Sequence, residues 1–131
     1  RSPRNFHEMA DADRVAQGHN PLCGDELTVY LRIRDGVVEA ASFVGHGCAI
    51  SKASASLMTE AVIGKTEAEV EALFRDFHAM LTGEEDADRD LGKLEVLAGV
   101  KEFPVRVKCA TLPWHTLHNA LTGSAEKAKT E

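Results

Sequence analysis

ELTVYLRIR (Glu26–Arg34), DG (Asp35–Gly36), VVEAASFVG (Val37–Gly45) and HGC (His46–Cys48) form the stretch that decides the fold. In its first part Leu27, Val29, Leu31 and Ile33 alternate with Thr28, Tyr30 and Arg32, the period of a half-buried strand. Asp35-Gly36 is a two-residue hairpin turn, and Val37–Gly45 is the return strand. Antiparallel strands bring the residues before the first and after the second to one edge of the sheet. Cys23 and Asp25 on one side and Cys48 on the other are therefore expected to meet.

Working outward, the chain after Cys48 turns helical. Ser51 is the expected N-cap, Ala53, Leu57, Ala61 and Val62 recur at helical intervals, and Gly64 stops the run. Cys48 thus lies just ahead of a helix, whose free N–H groups and positive dipole end suit a sulfur ligand. Thr66-Glu67-Ala68-Glu69 has the form of a capping box and opens a second helix, with Val70, Leu73, Phe74, Phe77 and Leu81 on one face. Thr82–Asp90 reads as a solvated acidic loop and Leu91–Leu97 as a short helix ended by Gly99. Phe103–Lys108 reads as an extended approach to Cys109, since Pro104 disfavours helix before it. Trp114, Leu117, His118 and Leu121 then mark a final helix with Pro113 in its first turn, so that Cys109, like Cys48, lies at a helix entrance. In the N-terminal segment 1–19 no sustained period appears, and Gly18–Leu22 carries only a weak, polar signal for a third strand. The fold class expected is α+β: a single domain over residues 1–131, with a small antiparallel sheet of about three strands packed against helices. The tail at 124–131 has no apolar anchor and is expected to be flexible.

Composition narrows the function. The chain has 131 residues, 44% of them hydrophobic, enough to bury a core without disulfides. Its formal net charge of −6 argues against nucleic acid as main partner. No apolar run approaches the roughly 20 residues needed to span a bilayer, so membrane insertion is not expected. Three cysteines cannot pair completely within one chain, and nothing at the N-terminus reads as a signal peptide, which together point to a reducing, cytoplasmic setting. The chain starts at Arg1 without a methionine, as it would if native residues preceded it.

The chemistry lies in Cys23, Cys48 and Cys109 with Asp25. A free cysteine is commonly a small buried hydrophobe, but Cys23 and Cys48 sit on glycine-lined turns, poor places for core filler. Three thiolates and one carboxylate would complete a tetrahedral shell suited to Zn2+, with copper(I) or an iron–sulfur unit as other soft-metal options. Such a shell carries a charge of about −2 and needs compensation, for which Lys52, Arg106 and Lys108 are candidates. The widely separated ligands do not have zinc-finger spacing, which favours an exchangeable site over a structural staple. His46, two residues before Cys48, is a competing ligand or a supporting residue; His115 and His118 are expected on a helix surface or partly buried.

NPLCGDE (20–26), GHGCAISKASASLMTEAV (45–62) and VRVKCATLPW (105–114) together resemble the U-type iron–sulfur assembly proteins, which are IscU-like and NifU N-terminal-like, and most closely their SufU branch. The resemblance covers nearly the whole chain. Two positions depart from the IscU branch: Lys108 stands where that branch has histidine, and Glu102-Phe103-Pro104-Val105-Arg106 stands where it has a chaperone-docking motif. Residues 82–99 look like the SufU-type insertion. The resemblance implies that Cys23, Asp25, Cys48 and Cys109 bind Zn2+. It also implies a sulfurtransferase role with a SufS-type cysteine desulfurase as partner, iron–sulfur assembly proteins downstream, and Cys23 as the catalytic sulfur acceptor, released when a desulfurase histidine takes its place on zinc. The alternative it carries is a non-enzymatic scaffold for a [2Fe-2S] cluster or iron on the same four residues.

Overall fold

A computed structural model of the chain describes residues 4–21, 24–82, 92–123 and 128–129. Three antiparallel strands form the sheet: β1 (Arg14–Asn20), β2 (Asp25–Arg34) and β3 (Val37–His46). A two-residue strand, β4 (Ala128–Lys129), adds in parallel beside Gly18 and His19, giving the order β3-β2-β1-β4. Helices α1 (Ala49–Val62), α2 (Glu67–Leu81) and α3 (Pro104–Thr122) complete an α+β fold, with a 3-10 helix at Gly92–Glu102.

The hairpin forms as its pattern demands. Leu27, Val29 and Leu31 are buried on one face of β2, and Thr28, Tyr30 and Arg32 alternate outward. Asp35 and Gly36 both have positive φ, 54° and 76°, the twist that a tight two-residue hairpin needs. The register shifts once, between Arg32 and Ile33, and then runs without interruption to Glu26 opposite His46. That last rung sets Asp25 beside the chain entering α1.

Several sequence expectations need correction. β1 begins at Arg14, well before the weak signal at Gly18, because only Ala16, Gly18 and Asn20 face inward and none is a large apolar residue. The N-cap of α1 is Cys48, not Ser51: the Cys48 sulfur accepts from the Ser51 N–H, and Ser51 is already inside the helix. The buried residues of α1 are Ser51, Ser54, Ala55, Ser56, Met58, Thr59 and Val62, which leaves Ala53 exposed. The 3-10 helix runs past Gly99 to Glu102. Phe103–Lys108 is not an extended approach, because α3 starts at Pro104. Pro104 excludes helix from the residue before it, and Phe103 is indeed extended at ψ 91°, yet proline itself suits the first helical position. Cys109 therefore lies inside α3 and Pro113 in its interior. The acidic loop expected at 82–90 lies outside the described residues from 83 onward.

The Thr66 capping box is present in full, with Thr66 Oγ1 accepting from the Glu69 N–H and the Glu69 carboxylate accepting from the Thr66 N–H. Val70, Phe77 and Leu81 are buried from α2, and Trp114 of α3 stacks on Phe77 with ring centroids 4.7 Å apart. Core side chains from the sheet, Val29, Leu31 and Phe43, meet Met58 of α1 and Leu112 and Leu117 of α3. Gly18 leaves the room that α3 needs, since a Cβ there would stand 2.0 Å from Thr116 Oγ1. Ser54 Oγ donates to the Ala110 carbonyl at 2.5 Å and fastens α1 to α3 one residue beyond Cys109. These contacts bring the second turn of α3 to the end of the sheet where α1 begins.

Candidate metal centre

Three elements converge there: the first residue of β2, the N-cap of α1 and the second turn of α3. They supply Asp25, Cys48 and Cys109, whose donor atoms all lie within 4.8 Å of one another. Asp25 is fully buried, Cys109 is 2% exposed, and Cys48 is half-buried. Cys23 lies outside the described residues, two positions ahead of Asp25 in the chain.

The carboxylate is held by its neighbours. Asp25 Oδ1 accepts from the Cys48 backbone N–H at 2.7 Å, while Oδ2 lies 3.7 Å from Cys48 Sγ. One oxygen is thus committed to the N–H, and the other is turned toward the sulfur. Gly47 makes this approach feasible, because a Cβ there would stand 2.3 Å from Asp25 Oδ1. Cys48 Sγ accepts from the Ser51 N–H at 3.4 Å, and Asn20 Nδ2 donates to Cys109 Sγ at 3.8 Å.

This donor set fits a thiophilic divalent ion. Tetrahedral zinc with bonds of about 2.3 Å to sulfur and 2.0 Å to oxygen separates those ligand atoms by roughly 3.5 Å. The Asp25 Oδ2 to Cys48 Sγ spacing of 3.7 Å is close to that edge length. A carboxylate buried beside two sulfurs is also a poor arrangement for an apolar core and calls for a compensating partner.

Not every expected contributor joins the centre. His46 is exposed and its Nε2 lies 3.3 Å from Glu26 Oε1, apart from the donor group. Lys52 Nζ lies 5.9 Å from the centre of the Phe6 ring and Arg106 Cζ 5.0 Å from that of Phe103. Those cations stack on aromatic rings, while N–H groups of Cys48, Ser51 and Asn20 reach the donor atoms. His118 pairs with Glu71 at 2.9 Å, and His115 is half-buried beside Phe74 with ring centroids 5.2 Å apart, both on the α2 side of α3. Burial, with His78 and His118 nearby, pushes the His115 imidazole below its usual value. Asn20, missed by the sequence reading, is fully buried at the last rung of β1 and β2, opposite Asp25. Its one sequence signal was its place at the head of the NPLCGDE string, directly before Pro21.

The profile of the NifU-like N terminal domain matches residues 1–110. An iron–sulfur cluster assembly scaffold protein IscU of Streptococcus pyogenes serotype M1 is 43% identical over 92% of this chain and 77% of its own length. A zinc-dependent sulfurtransferase SufU of Bacillus subtilis (strain 168) is 41% identical over 92% of this chain and 82% of its own length. Among solved structures, a protein of Fervidobacterium islandicum AW-1 described as an iron–sulfur cluster assembly scaffold for the SUF system superposes with a TM-score of 0.85. It shares 39% identity, covering 89% of this chain and 86% of its own. The N-terminal NifU-like protein of Brucella abortus gives a TM-score of 0.84 at 30% identity, covering 97% of this chain and 89% of its own.

Proposed function

This chain belongs to the NifU-like N-terminal domain family, among the IscU and SufU iron–sulfur cluster assembly proteins, and from that premise we propose that it is a zinc-dependent sulfurtransferase. Its role is to accept persulfide sulfur from a cysteine desulfurase of the SufS type for iron–sulfur assembly. The observation that carries the reading is the convergence of Asp25, Cys48 and Cys109 donor atoms within 4.8 Å. The Bacillus subtilis relative, named a zinc-dependent sulfurtransferase, supports zinc as the ion.

Asp25, Cys48 and Cys109 are the holding ligands and Cys23 the fourth. Zinc bound there would keep the sulfurs as thiolates at neutral pH. Cys23 is the acceptor: its thiolate attacks the outer sulfur of the desulfurase persulfide, the S–S bond of the enzyme breaks, and the enzyme cysteine leaves as a thiolate. Cys23 then carries the persulfide, with no net change in oxidation level. Cys48 and Cys109, each engaged by an N–H donor, are less suited to that attack. Lys108 in place of histidine favours this reading over cluster building.

The test pairs metal analysis of protein purified without added metal with desulfurase turnover in its presence and absence. One zinc per chain, strong stimulation, and loss of stimulation in Cys23→Ala are expected, together with weakened zinc retention in Asp25→Ala. Full stimulation by Cys23→Ala refutes the acceptor role. A second reading, a scaffold that assembles and passes on a [2Fe-2S] cluster, draws on the scaffold name of the streptococcal relative. Iron with labile sulfide and little stimulation would favour it.

A further inference from the structure

Each described donor of the centre accepts an N–H. Asp25 is served by the backbone of Cys48, and Cys48 Sγ by the backbone of Ser51. Both bonds are available because Cys48 is an N-cap, where the first-turn N–H groups have no partner within the helix. Cys109 is placed differently. It lies in the second turn of α3, where backbone N–H groups are drawn into the helix's own ladder. Its sulfur accepts from a side chain of another element, Asn20, whose Nδ2 lies at 3.8 Å.

We propose that Asn20 is a positioning residue for the metal centre, whose amide N–H fixes Cys109 Sγ toward Asp25 and Cys48 and disperses its thiolate charge. The inference rests on the metal reading given above and extends it to a residue that is not a ligand. Two observations carry it. Asn20 is a fully buried primary amide, which is unfavourable without a partner. It also shares the terminal β1–β2 rung with Asp25, so one rung delivers both a ligand and a donor to the same end of the sheet. An N–H···S bond lowers the negative charge on a bound sulfur and holds its side-chain rotamer, as hydrogen bonds to metal ligands do elsewhere.

The experiment uses the full chain loaded with Co2+ or 113Cd2+. Asn20→Leu, close in size but without a donor, should shift the thiolate-to-cobalt charge-transfer band and lower affinity about 10- to 100-fold in chelator competition. Asn20→Asp, which places a carboxylate against the sulfur, should lose more. A purely structural role would move the melting temperature of the metal-free protein but not the charge-transfer band. If Asn20→Leu does not fold, the wild-type protein still decides. Its Asn20 side-chain amide protons should couple to 113Cd through the Cys109 sulfur, and absence of that coupling overturns the proposal. So does an Asn20→Leu protein with unchanged band and affinity. A wild-type chain that takes up neither ion overturns the metal reading and this inference together, whereas wild-type binding with an indifferent Asn20→Leu overturns the inference alone.

Discussion

Gly47→Ala tests the geometry of the centre with a single methyl group. A Cβ at residue 47 would stand 2.3 Å from Asp25 Oδ1, 2.9 Å from Asp25 Cγ and 3.1 Å from Asp25 Cα. Unstrained contact between such atoms needs about 3.5 Å, so either Asp25 or the chain at Gly47 must retreat by about 1 Å. That retreat takes the bond from the Cys48 N–H to Asp25 Oδ1, now 2.7 Å, beyond hydrogen-bonding reach. A hydrogen bond to a charged group contributes about 1.5–3 kcal/mol. At about 1.4 kcal/mol per tenfold change, metal affinity should fall roughly 10- to 100-fold. The assay is competition for Zn2+ or Co2+ with a chromophoric chelator, with circular dichroism confirming the fold. Gly99→Ala is the control, because a Cβ there meets open space. If Gly47→Ala binds within twofold of the wild type, Asp25 does not owe its position to this contact.

Three further predictions lie away from the centre. Thr66→Ala should destabilise the fold by about 1 kcal/mol, the usual contribution of an N-cap, and leave metal content unchanged. Hydrogen bonds from the Thr66 backbone N–H and with its side chain hold the Glu69 carboxyl below its ordinary value, so their stabilisation is present above the usual carboxylate range and is lost as pH falls through the folded value. Glu69→Gln should flatten that acid limb in melting curves, and an unchanged limb would contradict the assignment. For His115 the sign is the same on acidification but the cause differs. Its folded pKa is lowered by burial and by His78 and His118, so the unfolded chain takes up the proton first and stability falls as pH drops below about 6.5, the ordinary imidazole value. His115→Gln should reduce that loss, and an identical pH profile would refute it.

The hairpin and the capping box could be read from the sequence because each is a local rule: alternation with a turn needing positive φ, and a hydroxyl three residues before a glutamate. Asp25 and Cys48 followed from the hairpin alone, since antiparallel strands return to one edge. β1 could not be read that way, because its inward residues are an alanine, a glycine and an asparagine. The stripe of α1 was read only in part for a related reason, as its buried positions are rich in serine and threonine while Leu57, Ala61 and Val62 do pack against the core. The start of α3 was misplaced because Pro104 bars helix before it and favours helix from it onward. The position of Cys109 beside the other two donors depends on α3 packing across the sheet, a long-range contact that no local pattern encodes. Asn20 was invisible for the same reason, since its partner is 89 residues away.

The two margins of the sheet carry a consequence for association. Beside β3, Phe6 forms a bridge with Phe43, the Asn5 carbonyl accepts from the Phe43 N–H, and the two phenyl rings meet edge to face at 5.2 Å. Beside β1, Ala128 and Lys129 lie along Gly18 and His19. Each covering is only a residue or two long, yet each interrupts the row of backbone groups that another strand would need as a template. Strand addition is thereby blunted at both margins, and a protein that docks here without displacing them must do so through helices and turns, the parts of the chain that also hold Cys48 and Cys109.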